Sequence, residues 1–225
     1  MAMNNSPSTS KLLTAGIVAG PLFAVVALAH AIMREGFDPV RHPASMLSLG
    51  DLGWIQISNF VIAGALFIAG GIGLKRVLTD GIGRNWAPRL FVVFGVSLII
   101  GGAFTPDPGL GFPPGTPEGV AKEMSVHGMI HAFAPILGFL ALLAALIVLA
   151  RRFGSQGHRG WRDTTIVAAV AMFALSSLPN VTADWEQGVF NFLPLWAGSI
   201  LGFSWASFVI AKVKKETEKK QGVAS

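Results

Sequence analysis

The chain reads as an all-α integral membrane protein, a polytopic bundle of six transmembrane helices with both termini in the cytoplasm. Three observations lead there. Of its 225 residues 52% are apolar and only 13% are charged, and the mean hydropathy is +0.59, too apolar to solvate a globule of ordinary proportions. Six apolar runs are each closed by charge, proline or glycine. The basic residues collect at the ends of alternate connections. Because each crossing needs about 20 apolar residues, six take up more than half the chain and leave no room for a soluble domain. Residues 1–225 are therefore expected to form one domain.

The first run, residues 12–33, carries Gly16 and Gly20 at the four-residue spacing that lets helix backbones approach closely. Its Ala27-Leu28-Ala29 resembles a signal-peptidase site, but the run continues beyond it and little positive charge precedes it, so we read a span. The second, residues 54–74, starts at an interfacial Trp54 and carries Ala65, Ala69 and Gly73. The third, residues 86–104, leaves the bilayer through Thr105-Pro106-Asp107-Pro108-Gly109. The fourth, residues 126–150, bears His127, His131 and Pro135. The fifth, residues 164–178, is the shortest, and its Thr164, Thr165, Ser176 and Ser177 suit a helix packed inside the bundle rather than one facing lipid. The sixth, residues 189–211, holds Gly198 and Gly202 and runs into a lysine-rich tail. The small-residue pairs read as packing grooves within one bundle, with a helix-mediated oligomer as the alternative. Trp54 and Trp185 fall at the outer headgroups, Trp86 and Trp161 at the inner ones.

Sorting lysine and arginine by alternating connection puts fourteen on one face and three, Arg34, Arg41 and Lys122, on the other. The positive-inside rule then places both termini in the cytoplasm of a plasma-membrane protein. Eight of the twelve acids fall on the opposite, outer face, which is the chemically varied one. The net charge of +5 is scattered over helix ends rather than gathered on one surface, so nucleic acid is not an expected partner. The inner basic residues, with the tail's Glu216 and Glu218, read as anionic-lipid contacts and a solvated helix end. With no cysteine and no tyrosine, thiolate ligands, cysteine nucleophiles and catalytic phenols are excluded. No phosphate-binding loop or dinucleotide pattern occurs, and the nearly charge-free spans argue against a midplane proton pump.

Candidate chemistry lies on the outer face. His127 and His131 share one helix face about 6 Å apart along the axis, with Glu123 one turn earlier. With Asp107 as a third donor, the two histidines are a candidate site for a divalent, zinc-like metal, or a proton relay. The pair lacks the glutamate of a metalloprotease motif, and a structural role for interfacial histidines carries more weight. Asp107, stiffened by flanking prolines, is a partner for them or a turn aspartate. Pro135 leaves the His131 carbonyl without a helical donor. The apolar segment 41–53 is expected to lie on the membrane or fold over the bundle mouth, with Ser45 and Ser48 as candidate nucleophiles or caps. Asp184 and Glu186 close the ring, and His30 faces the same level. Two histidines on different helices also suit a haem, which nothing else in the sequence favours.

The segments His42-Pro43-Ala44-Ser45-Met46-Leu47-Ser48-Leu49-Gly50, Trp54-Ile55-Gln56-Ile57-Ser58-Asn59-Phe60, Gly102-Ala103-Phe104-Thr105-Pro106-Asp107-Pro108 and His127-Gly128-Met129-Ile130-His131 together resemble the prokaryotic membrane family catalogued as domain of unknown function 998. The resemblance covers most of the chain and implies a compact polytopic helical protein, with no agreed activity. Its motif positions Ser45, Asp107, His127 and His131 coincide with the outer-face residues above. Three functions are then weighed. The first is a protein that binds or passes a small molecule, lipid or ion at its outer polar mouth. The others are an intramembrane metal-dependent hydrolase of a lipid-like substrate and an accessory membrane subunit.

Overall fold

The computed structural model describes residues 6–121, 123–184 and 189–222. Trp185, Glu186 and Lys122 lie outside the described residues. The helices are α1 (Pro7–Met33), α2 (Gly53–Val77), α3 (Trp86–Ala103), α4 (Val126–Ser155), α5 (Arg159–Thr182) and α6 (Leu193–Gly222), with a 3-10 turn at Ala44–Ser48. All six α-helices are long and apolar enough to cross a membrane, so the chain is a multi-pass membrane protein whose surroundings are lipid. Serines start two of them. Ser6 accepts from Thr9 N–H ahead of Pro7 in α1, and Ser125 accepts from Gly128 N–H (3.0 Å) in α4.

Several helices outrun their apolar runs where the basic residues cluster. α2 continues to Val77, α4 to Ser155 and α6 to Gly222, because lysine and arginine are good helix formers whose charged heads reach water from the last turns. The lysine-rich tail is thus a packed continuation of α6, with Val213 and Thr217 buried, rather than a wholly solvated end.

α5 corrects two expectations. It has 24 residues against 18 for α3, the shortest span, and only 33% of its most apolar window is buried, the lowest of the six. Its hydroxyls divide between two faces: Thr165 and Ser176 are buried against neighbouring helices, whereas the exposed Thr164 and Thr182 are satisfied within the helix and can face lipid. Thr164 donates to the Gly160 carbonyl (2.7 Å), Thr182 donates to Leu178 (3.0 Å), and Thr165 accepts from Trp205 Nε1–H (3.2 Å).

Each helix packs on its sequence neighbours, and α6 returns to close the ring on α1, while contacts across the ring are sparse. Small residues set the close approaches. A Cβ on Gly16 would strike Gly70 of α2, one on Gly20 would strike the Phe203 carbonyl of α6, and Gly198 and Gly202 lie against Met172 of α5. These grooves are therefore filled from within the chain. Ser207 of α6 donates to the Gly16 carbonyl (2.9 Å) and accepts from Gly20 N–H (3.0 Å), spanning one rung of α1 and fastening the ring.

Both termini lie at one end of the bundle, here the terminal end. The described residues of the connections 34–52, 104–125 and 183–192 meet at the other, the mouth end. Around the terminal half Leu13, Leu74, Leu146, Leu149, Phe153 and Ile210 are completely buried. Arg152, counted among the lipid-facing cations by sequence, is buried there. Its guanidinium donates to the Asp80 (2.6 Å) and Ile82 (3.0 Å) carbonyls and holds the α2–α3 loop. A buried guanidinium needs such acceptors, and two loop carbonyls supply them.

Candidate functional site

The mouth end is capped by interlocked loops. Met46, Leu49, Leu110, Phe112 and Phe190 make a small apolar core of their own, with Phe37 and Phe192 packed against it. His42 is the latch of this cap. Its Nδ1 accepts from Asp38 N–H (2.9 Å), its Nε2–H donates to the Leu110 carbonyl (2.9 Å), and its own carbonyl accepts from Trp196 Nε1–H (3.0 Å). One buried side chain thus ties the first loop to the second and its backbone ties it to α6. Arg34 adds a hydrogen bond to the Leu49 carbonyl (2.7 Å) and lies over the Phe112 ring (5.4 Å).

Beneath the cap lies a cavity of about 110 Å³. Six rings line it: Phe23 of α1, Phe60 of α2, Phe94 of α3, Phe139 of α4, and Trp196 and Phe203 of α6. Its polar wall consists of Ser45 from the 3-10 turn, Ser97, His131 and Ser199. Among the described residues no Asp, Glu, Lys or Arg lines it. Gly101, also on the wall, offers an independent measure of the space, since a Cβ added there would meet nothing within 4 Å. With α-helical rise about 1.5 Å per residue, the distance from Val126 to Phe139 puts the cavity floor roughly 20 Å below the mouth end of α4.

Of the expected site residues, Ser45 and His131 are brought to this cavity and the others are not. His131 is buried, and its Nδ1–H is shared between the Phe104 (2.7 Å) and Gly101 (3.1 Å) carbonyls at the end of α3. His127, one turn earlier, is exposed at the rim with its ring edge-on to Phe104 (5.1 Å). Asp107 accepts from Ser125 N–H (2.9 Å), so its charge sits at the positive N-terminus of α4. Gly128 keeps that carboxylate in place, because any Cβ there would collide with it. Asp184 exchanges backbone hydrogen bonds with Val189 (3.0 Å each) and does not line the cavity. Ser48, the other candidate hydroxyl, donates to the Ser45 carbonyl (2.6 Å) as a local cap. Among the described residues no three His, Asp or Glu side chains gather closely enough to share a metal ion, so His127, His131 and Asp107 are not assembled as a donor set.

Two features escaped sequence reasoning. His42 was legible only as part of a motif, because nothing in spacing announces a cross-loop latch. Gln56 and Asn59 are almost wholly buried on the α1 side of α2, where Asn59 Nδ2–H donates to the Phe23 carbonyl (3.1 Å) and to Gln56 Oε1 (3.3 Å). Two amides three residues apart in an apolar run were the available signal.

A family model described as Protein of unknown function (DUF998) matches residues 17–211. No curated protein and no solved structure matches the chain.

Proposed function

The chain belongs to the DUF998 family of proteins of unknown function, and from the cavity we propose that it binds a small, lipid-like molecule at the mouth end of its bundle. The single observation behind this reading is the space under the cap, walled by six aromatic rings and four polar side chains. A cavity of about 110 Å³ is of the order of the engineered apolar cavities that accept benzene, so it takes one ring or a short run of methylenes. An ion is disfavoured, since among the described residues no charged side chain offsets its desolvation there.

α5 contributes nothing to the wall but packs on both α4 and α6, so it backs the cavity from outside on that side. The excess of basic residues at the terminal end favours a mouth facing away from the cytoplasm of a plasma membrane. The interlocked cap argues for a binding chamber over an open passage.

The test is to identify small molecules retained by the purified protein, by mass spectrometry, beside a Gly101→Phe variant whose ring fills the cavity. A species present with the unmodified chain and lost from the variant supports the reading. Equal retention by both sinks it. Ser45 and His131, the groups a hydrolytic alternative would use, line the same cavity. A retained ester recovered intact therefore favours binding, and one recovered cleaved favours hydrolysis.

A further inference from the structure

The hydrogen-bonding state of the wall says more about the occupant than its volume does. His131 gives its Nδ1 proton to two backbone carbonyls, so in the neutral ring Nε2 carries a lone pair and no proton. Ser97 spends its hydroxyl proton on the Phe94 carbonyl (2.7 Å), and Ser199 spends its own on Leu195 (2.8 Å). Trp196 is committed through Nε1–H to His42. Three of the four polar side chains lining the space thus have only acceptor capacity left to offer, their protons being already in use, and Ser45 is the exception.

An occupant bearing a carboxylate or phosphate would bring more acceptors to a wall of acceptors, with no cation to compensate. An ammonium would find lone pairs but no counter-charge. A hydroxyl supplies what the wall lacks, one proton to share, and remains neutral. We infer that the cavity selects a neutral lipid-like alcohol, whose apolar body lies among the rings and whose hydroxyl donates to His131 Nε2. This rests on the ligand-binding reading above and narrows it to one head-group chemistry.

The experiment is displacement of radiolabelled hexanol from the full chain in lipid nanodiscs by hexanol, hexane, hexylamine, hexanoate and hexyl phosphate. Saturable binding is defined against the Gly101→Phe variant. Hexanol is expected to bind about tenfold more tightly than hexane, the scale of one net hydrogen bond, and the charged members more weakly than hexane. His131→Asn keeps an N–H where Nδ1 stands and removes the acceptor at the Nε2 position, so hexanol should lose its advantage over hexane. Hexanoate or hexyl phosphate binding as tightly as hexanol would overturn the inference and leave the ligand-binding reading standing. Absence of saturable binding by every member would overturn that reading itself. The ranking on the unmodified chain decides the matter even if the asparagine variant fails to fold.

Discussion

The two halves of the bundle are built on opposite principles. Towards the terminal end, aliphatic and aromatic side chains close on one another completely, and even the arginine admitted there, Arg152, is held by loop carbonyls. Towards the mouth end the same helices leave about 110 Å³ unfilled, and the loops take over the closure. A void between lipid-embedded helices forfeits dispersion contacts on every side, so it survives only where neighbouring structure keeps the helices from collapsing into it. Here the glycine contacts between α1, α2 and α6 and the phenylalanine cluster beneath supply that frame, and the His42 latch closes the top.

Truncations should separate the halves most strongly. Phe67 is fully buried, with ring neighbours Phe94 at 4.9 Å and Phe203 at 6.3 Å. Phe67→Ala is expected to cost about 4 kcal/mol, the usual scale for a buried phenylalanine, whereas Phe139→Ala on the partly exposed cavity wall should cost about 1 kcal/mol. Unfolding in detergent with increasing dodecyl sulfate checks both, and equal losses would dissolve the distinction between the halves.

Glycines sharpen the contrast by adding volume instead of removing it. Gly20→Ala drives a methyl into the α6 backbone and should cost about 2–3 kcal/mol. Gly101→Ala places the same methyl in open space and should be neutral, or stabilising by up to about 1 kcal/mol through helix propensity. The pair read in one thermal-unfolding experiment sets a packed helix crossing against open space. A cost at Gly101 matching that at Gly20 would mean that the cavity is closed in the membrane.

His42→Ala probes the cap. It removes the Nδ1 and Nε2 hydrogen bonds and leaves the Leu110 carbonyl and Asp38 N–H to find other partners, a loss of about 2 kcal/mol. The effect should be confined to the mouth. Amide exchange should quicken in residues 37–50 and 104–116 and stay unchanged in the terminal half of α2. Uniform quickening would mean that the cap is not a separate unit.

The same division governs what could be read from the sequence. Hydropathy and charge identify all six spans, because lipid leaves a helix no alternative to satisfying its own backbone. Helix ends at the terminal side and the surroundings of α5 were not legible, since polar side chains satisfied by their own helix look the same on an inward or a lipid-facing surface. At the site, Ser45 and His131 could be picked out as polar residues at the mouth, and both reach the cavity. Asp107 and His127 matched the same criterion, yet one holds a helix N-terminus and the other lies at the rim. Sequence spacing fixes which residues share a helix face but not how deep the neighbouring helices bury that face. The difference between His127 and His131 is one turn of depth.

The smallest expected effect concerns the charges that sequence treats alike. Arg41 and Glu118 form a 2.8 Å ion pair bridging the first and second mouth loops, with side chains 44% and 80% exposed. Water screens such a pair, and ordering two long side chains offsets most of the Coulomb gain, so Glu118→Gln should change stability by less than about 0.5 kcal/mol. Arg152 sits at the other end with its guanidinium buried, and Arg152→Met, which leaves two loop carbonyls without donors, should cost about 2 kcal/mol. Raising the salt concentration should erase the first effect and leave most of the second, because salt screens only Arg152's contact with the exposed Asp80 carboxylate (3.3 Å) and not its bonds to the carbonyls. If Glu118→Gln instead loosens the cap as much as His42→Ala does, then charge and not the buried imidazole holds the mouth loops together, and the latch must be reassigned to that pair.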